Sequence, residues 1–97
     1  MKRLTDAAIA AALPRLPGWR RVGEALEKTF ELPTFPAAIA FVVAVGDVAE
    51  AHDHHPDILV RYRRVTLTLC THDAGNGITE LDLDVAAAVE RLPTVVN

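Results

Sequence analysis

"DILVRYRRVTLTLCTH", residues 57–72, reads as two strands folded back on each other. Its second half alternates. Val65, Leu67 and Leu69 point one way and Thr66, Thr68 and Cys70 the other, the period of a half-buried strand. The first half, DILVRY, reads as the partner strand, joined tightly at Arg63–Arg64. So short a connection makes the pair antiparallel. The start of the first strand, near residue 57, then lies beside the end of the second, near residue 70.

Working outward, an upstream pair has the same character. "GWRRV" reads as a first strand and "ALEKTFEL" as a second, with Gly23 and Glu24 in the turn. Leu26, Lys28, Phe30 and Leu32 share one side, and Glu27, Thr29 and Glu31 the other. Between the pairs, Thr34 is placed to cap a helix that carries Pro36 near its start and runs to about Ala51. Ala38, Phe41, Val42, Val45 and Ala49 form its core stripe. Ile39, Val43 and Gly46 on the other side are also apolar or small, and only Asp47 and Glu50 are charged. A helix apolar on both sides requires cover on both sides. A second subunit is the expected cover, the two terminal helices being the alternative. Thr5 and Asp6 open the first of these, which Pro14 and Pro17 stop. "TELD", residues 79–82, is a capping box opening the last, from about Glu80 to Arg91, ended by Pro93. The expected order is α-β-β-α-β-β-α, an α+β fold with an antiparallel sheet carrying helices on one face.

Ninety-seven residues allow one domain, residues 1–97. A chain this short buries about 60–65% of its unfolded surface, a marginal core. The 51% hydrophobic content is that of a globular protein, and a net charge of −3 gives no reason to expect nucleic acid or anionic membrane as partner. The lone Cys70 cannot form an internal disulfide. Asp6 interrupts the apolar run after the basic start, which speaks against a signal peptide, and no stretch approaches the ~20 apolar residues of a membrane span. Cytoplasm is the expected location.

"AEAHDHHPD", residues 49–57, holds His52, His54 and His55 beside Glu50 and Asp53, in the connection from the central helix to the third strand. The hairpin brings His72, at the far end of the fourth strand, toward this segment, so all four histidines are expected at one sheet edge. The residues alone leave three readings open. A polar loop could carry histidines incidentally. Three imidazoles could hold Zn²⁺, although the spacing is not that of the common zinc motifs and the adjacent His54–His55 pair aims poorly at one ion. An acid–base site needs imidazoles with carboxylates to set tautomer and charge, and Glu50 and Asp53 supply these.

The stretch resembles the signature of the pterin-4a-carbinolamine dehydratases, also known as dimerisation cofactors of a homeodomain factor. The matching residues are Glu50, His54-His55-Pro56, Tyr62, His72 and Asp82. "LPGWRRV" resembles the family's Trp-bearing first strand, and "FELPTFPAAIAFVVAVGDVAE" its Phe-rich strand and central helix. The resemblance covers nearly the whole chain. One departure is the loop "HDAGNGITELD", one residue longer than is common, with Asn76 or Gly77 as the extra residue.

The resemblance implies a four-stranded antiparallel sheet with three helices on one face, and a homodimer or homotetramer built through the central helix. It implies dehydration of 4a-hydroxytetrahydrobiopterin to quinonoid dihydropterin, in pterin recycling after aromatic amino-acid hydroxylation, without metal or cofactor. By resemblance His54 and His72 are the acid–base groups, His55 positions substrate, and Glu50 and Asp82 orient and charge the imidazoles. Asp53, Pro56 and the segment Cys70, Thr71, His72 and Asp73 match positions that contact pterin. Some relatives bind a transcription factor through the central helix, so an interaction module, using Ile39 and Val43, is the competing class.

Overall fold

A computed structural model describes residues 2–93; Met1 and residues 94–97 lie outside the described residues. The elements follow in the order α1 (Asp6–Ala12), β1 (Arg20–Val22), β2 (Ala25–Glu31), α2 (Phe35–His52), β3 (Asp57–Arg61), β4 (Arg64–Leu69) and α3 (Glu80–Glu90), with short 3₁₀ turns at Leu13–Arg15 and His72–Ala74. This is the expected α-β-β-α-β-β-α order. The strands form one antiparallel sheet in the order β1-β2-β4-β3.

Three helices start where a short polar side chain can accept a backbone N–H. Thr5 accepts from Ala8, Thr34 from Ala37, and Thr79 from Leu81, the last within a complete Thr79–Asp82 capping box. The core forms between one sheet face and the helices. Leu26 and Phe30 of β2 and Val65, Leu67 and Leu69 of β4 meet Ala38, Phe41 and Val45 of α2 and Val85, Ala86 and Val89 of α3. The opposite face is mostly polar, with the Thr29 and Thr66 hydroxyls bonded at 2.8 Å, although Leu59, opposite Thr66, is exposed on it.

Lys28 stands on the core side of β2, where a charge requires a partner. Its ammonium donates to both carboxylate oxygens of Glu90 at 2.9 Å and to the Pro17 carbonyl at 2.6 Å. The Trp19 indole N–H donates to the same carboxylate at 3.3 Å. A row that reads Leu-Lys-Phe is thereby closed by the end of α3.

The hairpin departs from its expected boundaries. Its turn is Tyr62–Arg63, not Arg63–Arg64, since Arg61 pairs with Arg64, and Tyr62 takes a left-handed φ of 52°. β4 ends at Leu69 rather than running to His72. β3 can begin no earlier than Asp57, because Pro56 has no N–H to give the ladder. β2 reaches only as far as a Leu26–Leu69 pairing. Beyond that, Thr71 finds one isolated partner in Gly77, and His72 opens a 3₁₀ turn.

α2 is also long and apolar enough, by length and composition, to cross a membrane, which the sequence reading did not credit. Ala38, Phe41, Val45 and Ala49 nevertheless pack inward, as the stripe of a core helix does.

Candidate active site

Asp53 ends α2 in the left-handed conformation, with φ 48°, which Asp tolerates better than most residues. Its N–H and that of His54 fold back onto the last carbonyls of the helix. This reversal carries His54 under the sheet edge. The His54 Nε2–H donates to Asp82 Oδ1 at 2.6 Å. Asp82 is fully buried, and only 10% of the His54 side chain is exposed. The second oxygen of Asp82 accepts from the Thr79 N–H at 2.8 Å and the Thr71 hydroxyl at 2.9 Å. One carboxylate therefore caps α3, ties down the end of β4 and orients an imidazole.

His55 follows a similar scheme in the open: its Nε2–H donates to Glu50 Oε2 at 2.5 Å, with both side chains more than half exposed. The His72 Nδ1–H donates to the Asn76 side-chain oxygen at 2.8 Å. A cleft of about 410 Å³ lies between these groups. Its walls are Asp53 to Asp57, Thr71 to Asp73, and Leu81.

Of the residues singled out in the sequence, Asp53, His54, His55, Pro56, Thr71, His72 and Asp73 meet at this cleft. Asp82 and Glu50 stand behind His54 and His55. His52 does not join them, contrary to the expected convergence of all four histidines. It is still helical, and its Nδ1–H turns back to the Val48 carbonyl at 2.9 Å. Asp57 and Leu81 line the cleft without having been singled out, and Asn76 was noted only for loop length. Leu81 was hidden inside a capping box, where it reads as a helix residue. Among the described residues no three His, Cys, Asp or Glu side chains are grouped to share a metal ion.

The family model for pterin 4 alpha carbinolamine dehydratase matches residues 2–92. The chain belongs to that family. A relative from Roseiflexus sp. (strain RS-1), provisionally named a pterin-4-alpha-carbinolamine dehydratase, is 54% identical over 90 residues, 93% of this chain and 96% of its own. One from Chloroflexus aurantiacus with the same provisional name is 51% identical over 92 residues, 95% of this chain and 98% of its own. Among solved structures, a transcriptional coactivator/pterin dehydratase from Brucella melitensis superposes with a TM-score of 0.86 at 38% identity, over 92% of this chain and 96% of that one. A pterin dehydratase-like protein identified as a RuBisCO assembly factor in the α-carboxysome gives a TM-score of 0.64 at 26% identity, over 75% and 86%.

Within this dehydratase-family chain Cys70 stands apart from the cleft walls. Burial pushes its thiol pKa up, and the charges of Asp82 and Asp57 push it the same way. A thiol held protonated is a poor nucleophile. Iodoacetamide at neutral pH is expected to label Cys70 more slowly in the folded protein than in urea. Equal rates, followed by mass spectrometry, would contradict this environment.

Proposed function

We propose that the cleft dehydrates a 4a-hydroxytetrahydropterin, by acid–base chemistry shared between His54 and His72. Membership of the family makes the chain a hydro-lyase. One observation carries the mechanism: two imidazoles border one cleft, each with one ring nitrogen tied to the protein and the other without a partner among the described residues. The cleft lies within the ~300–1,000 Å³ range of small-molecule sites, suited to a bicyclic heterocycle.

In the reaction the C4a–O bond breaks and its electron pair leaves with oxygen, which takes a proton to become water. The N5 lone pair forms the C4a=N5 double bond as N5 loses its proton to a base, giving the quinonoid dihydropterin. His72, with Nδ1–H engaged by Asn76, presents the Nε2 lone pair and suits the base. His54, when doubly protonated, keeps Nε2–H on Asp82 and offers Nδ1–H to the departing oxygen. His55, held by Glu50, borders the same space as a positioning group. Asp53, Pro56, Thr71 and Asp73 supply the remaining contacts, with Cys70 behind them. Pterin recycling in the cytoplasm is the setting this chemistry fits. Stopped-flow assay with chemically generated 4a-carbinolamine tests the reading. Loss of the carbinolamine at only the spontaneous rate would sink it.

A second reading concerns partners, and α2 favours it. Phe35, Ile39 and Val43 are 47%, 42% and 61% exposed on one helix face. Leaving such side chains in water forgoes up to about 1.5–3 kcal/mol each. We infer that α2 pairs with α2 of further copies, as a homodimer or homotetramer; a transcriptional or assembly partner on the same face is the alternative. Val43→Asp is expected to give a smaller assembly by light scattering. A wild-type protein that runs as a stable monomer at micromolar concentration would remove the proposal.

A further inference from the structure

We propose that Asn76 and Arg3 are positioning residues for His72: Asn76 selects its tautomer, and Arg3 clamps the loop that holds Asn76 in place. The proposal rests on the dehydratase reading for its kinetic consequence but not for its structural one.

The loop from His72 to Gly77 opens with a 3₁₀ turn and is closed at its base by the Thr71–Gly77 bridge. Asn76 sits at a left-handed φ of 62° and Gly75 at 68°. Inside the loop, the Ala74 and Gly75 N–H groups bond back to the Thr71 and His72 carbonyls. The outer support comes from the opposite end of the chain. The Arg3 Nε–H donates to the Ala74 carbonyl at 2.7 Å, and an Arg3 Nη2–H to the Gly75 carbonyl at 2.5 Å. The neighbouring Leu4 N–H donates to the Ile78 carbonyl at 2.8 Å. A planar guanidinium thus grips two consecutive carbonyls, a geometry lysine cannot reproduce.

The glycines make room for it. A Cβ on Gly77 would stand 2.6 Å from Arg3 Nε and 2.7 Å from Cδ and Cγ, and one on Gly75 would stand 2.9 Å from Nη2. The Arg3 side chain occupies the space that both glycines leave empty. The grip fixes residues 74 and 75, immediately before Asn76, whose side-chain oxygen accepts the His72 Nδ1–H. An oxygen acceptor at Nδ1 selects the Nδ1–H tautomer and leaves the Nε2 lone pair for the ligand. The ring is otherwise exposed on a 3₁₀ turn, so without Asn76 both tautomers would populate.

Ring ¹⁵N shifts of His72 in the free protein at alkaline pH report the tautomer without any substrate, and kcat and KM report the consequence. The wild type is expected to show the Nδ1–H form. Asn76→Gly keeps the left-handed backbone and removes the acceptor; it should shift the ring toward the Nε2–H form and lower kcat about tenfold with KM within about twofold. Asn76→Asp, which keeps an acceptor oxygen, should retain the tautomer. Arg3→Ala and Arg3→Lys should both weaken the tautomer preference. Gly77→Ala should mimic Arg3→Ala, and adding it to Arg3→Ala should change little more, because both act on one contact. Wild-type ring shifts in both Asn76→Gly and Arg3→Ala would overturn the proposal. An inactive wild type would instead remove the dehydratase reading, while the ring shifts would still decide the positioning roles.

Discussion

Alanine in place of His54 or of His72 is expected to lower kcat for dehydration by about 10²–10⁴-fold, the contribution of one acid–base group. KM should move less, because the cleft keeps most of its walls. The two variants should part company in stability. The His72 side chain is exposed and, among the described residues, bonds only to Asn76, so its loss should cost about 0.5 kcal/mol or less. His54 is nearly buried against a carboxylate with no exposure, and its removal strips Asp82 Oδ1 of its partner. A further loss of about 1–3 kcal/mol is expected in urea unfolding of His54→Ala. Equal, wild-type-like turnover in both variants would refute the acid–base assignment. Equal stability would show that Asp82 does not depend on His54.

The alternation of Val65, Leu67 and Leu69 made β4 legible, and the caps at Thr5, Thr34 and Thr79 made the helix starts legible, because these are local signals. Strand ends were less legible. Where β4 stops depends on where β2 and β3 can still pair with it, which is a property of the sheet and not of "TLCTH". At the site, His54, His55 and His72 were found because a hairpin returns its ends to one place. His52 was misplaced because one more residue of α2 keeps it helical and its ring turned back along the helix. The resemblance marked Asp82 as a residue that orients an imidazole without saying which one, and no periodicity links His54 and Asp82, 28 residues apart. The clamp from Arg3 to residues 74 and 75 leaves no sequence signal beyond two glycines in a loop.

Asp82 is where fold and chemistry meet, and two substitutions there should separate them. Asp82→Ala removes the acceptor for the Thr79 N–H, for the Thr71 hydroxyl and for His54 at once. The Thr79 N–H is left as an orphan at the start of α3, and the buried hydroxyl pair of Thr71 and Thr79 loses its anchor. A loss of about 3–5 kcal/mol is expected, because at least two hydrogen bonds to a buried carboxylate, worth about 1.5–3 kcal/mol each, go at once. Set against the ~5–15 kcal/mol of a typical domain, that is a large share. Asp82→Asn behaves differently. Its oxygen can still accept from the Thr79 N–H and the Thr71 hydroxyl, so the cap survives and the loss should stay near 1–2 kcal/mol. Its amide, however, then faces His54 Nε2 with N–H donors. The ring must accept there, its proton moves to Nδ1, and the doubly protonated imidazole that could give a proton to the departing oxygen loses the carboxylate that supports it. Turnover of Asp82→Asn should therefore fall about 10²–10⁴-fold, as for loss of the histidine itself, in a protein that still unfolds cooperatively. If Asp82→Asn retained wild-type turnover, the carboxylate would be a helix cap alone, and His54 would need no partner to do its work.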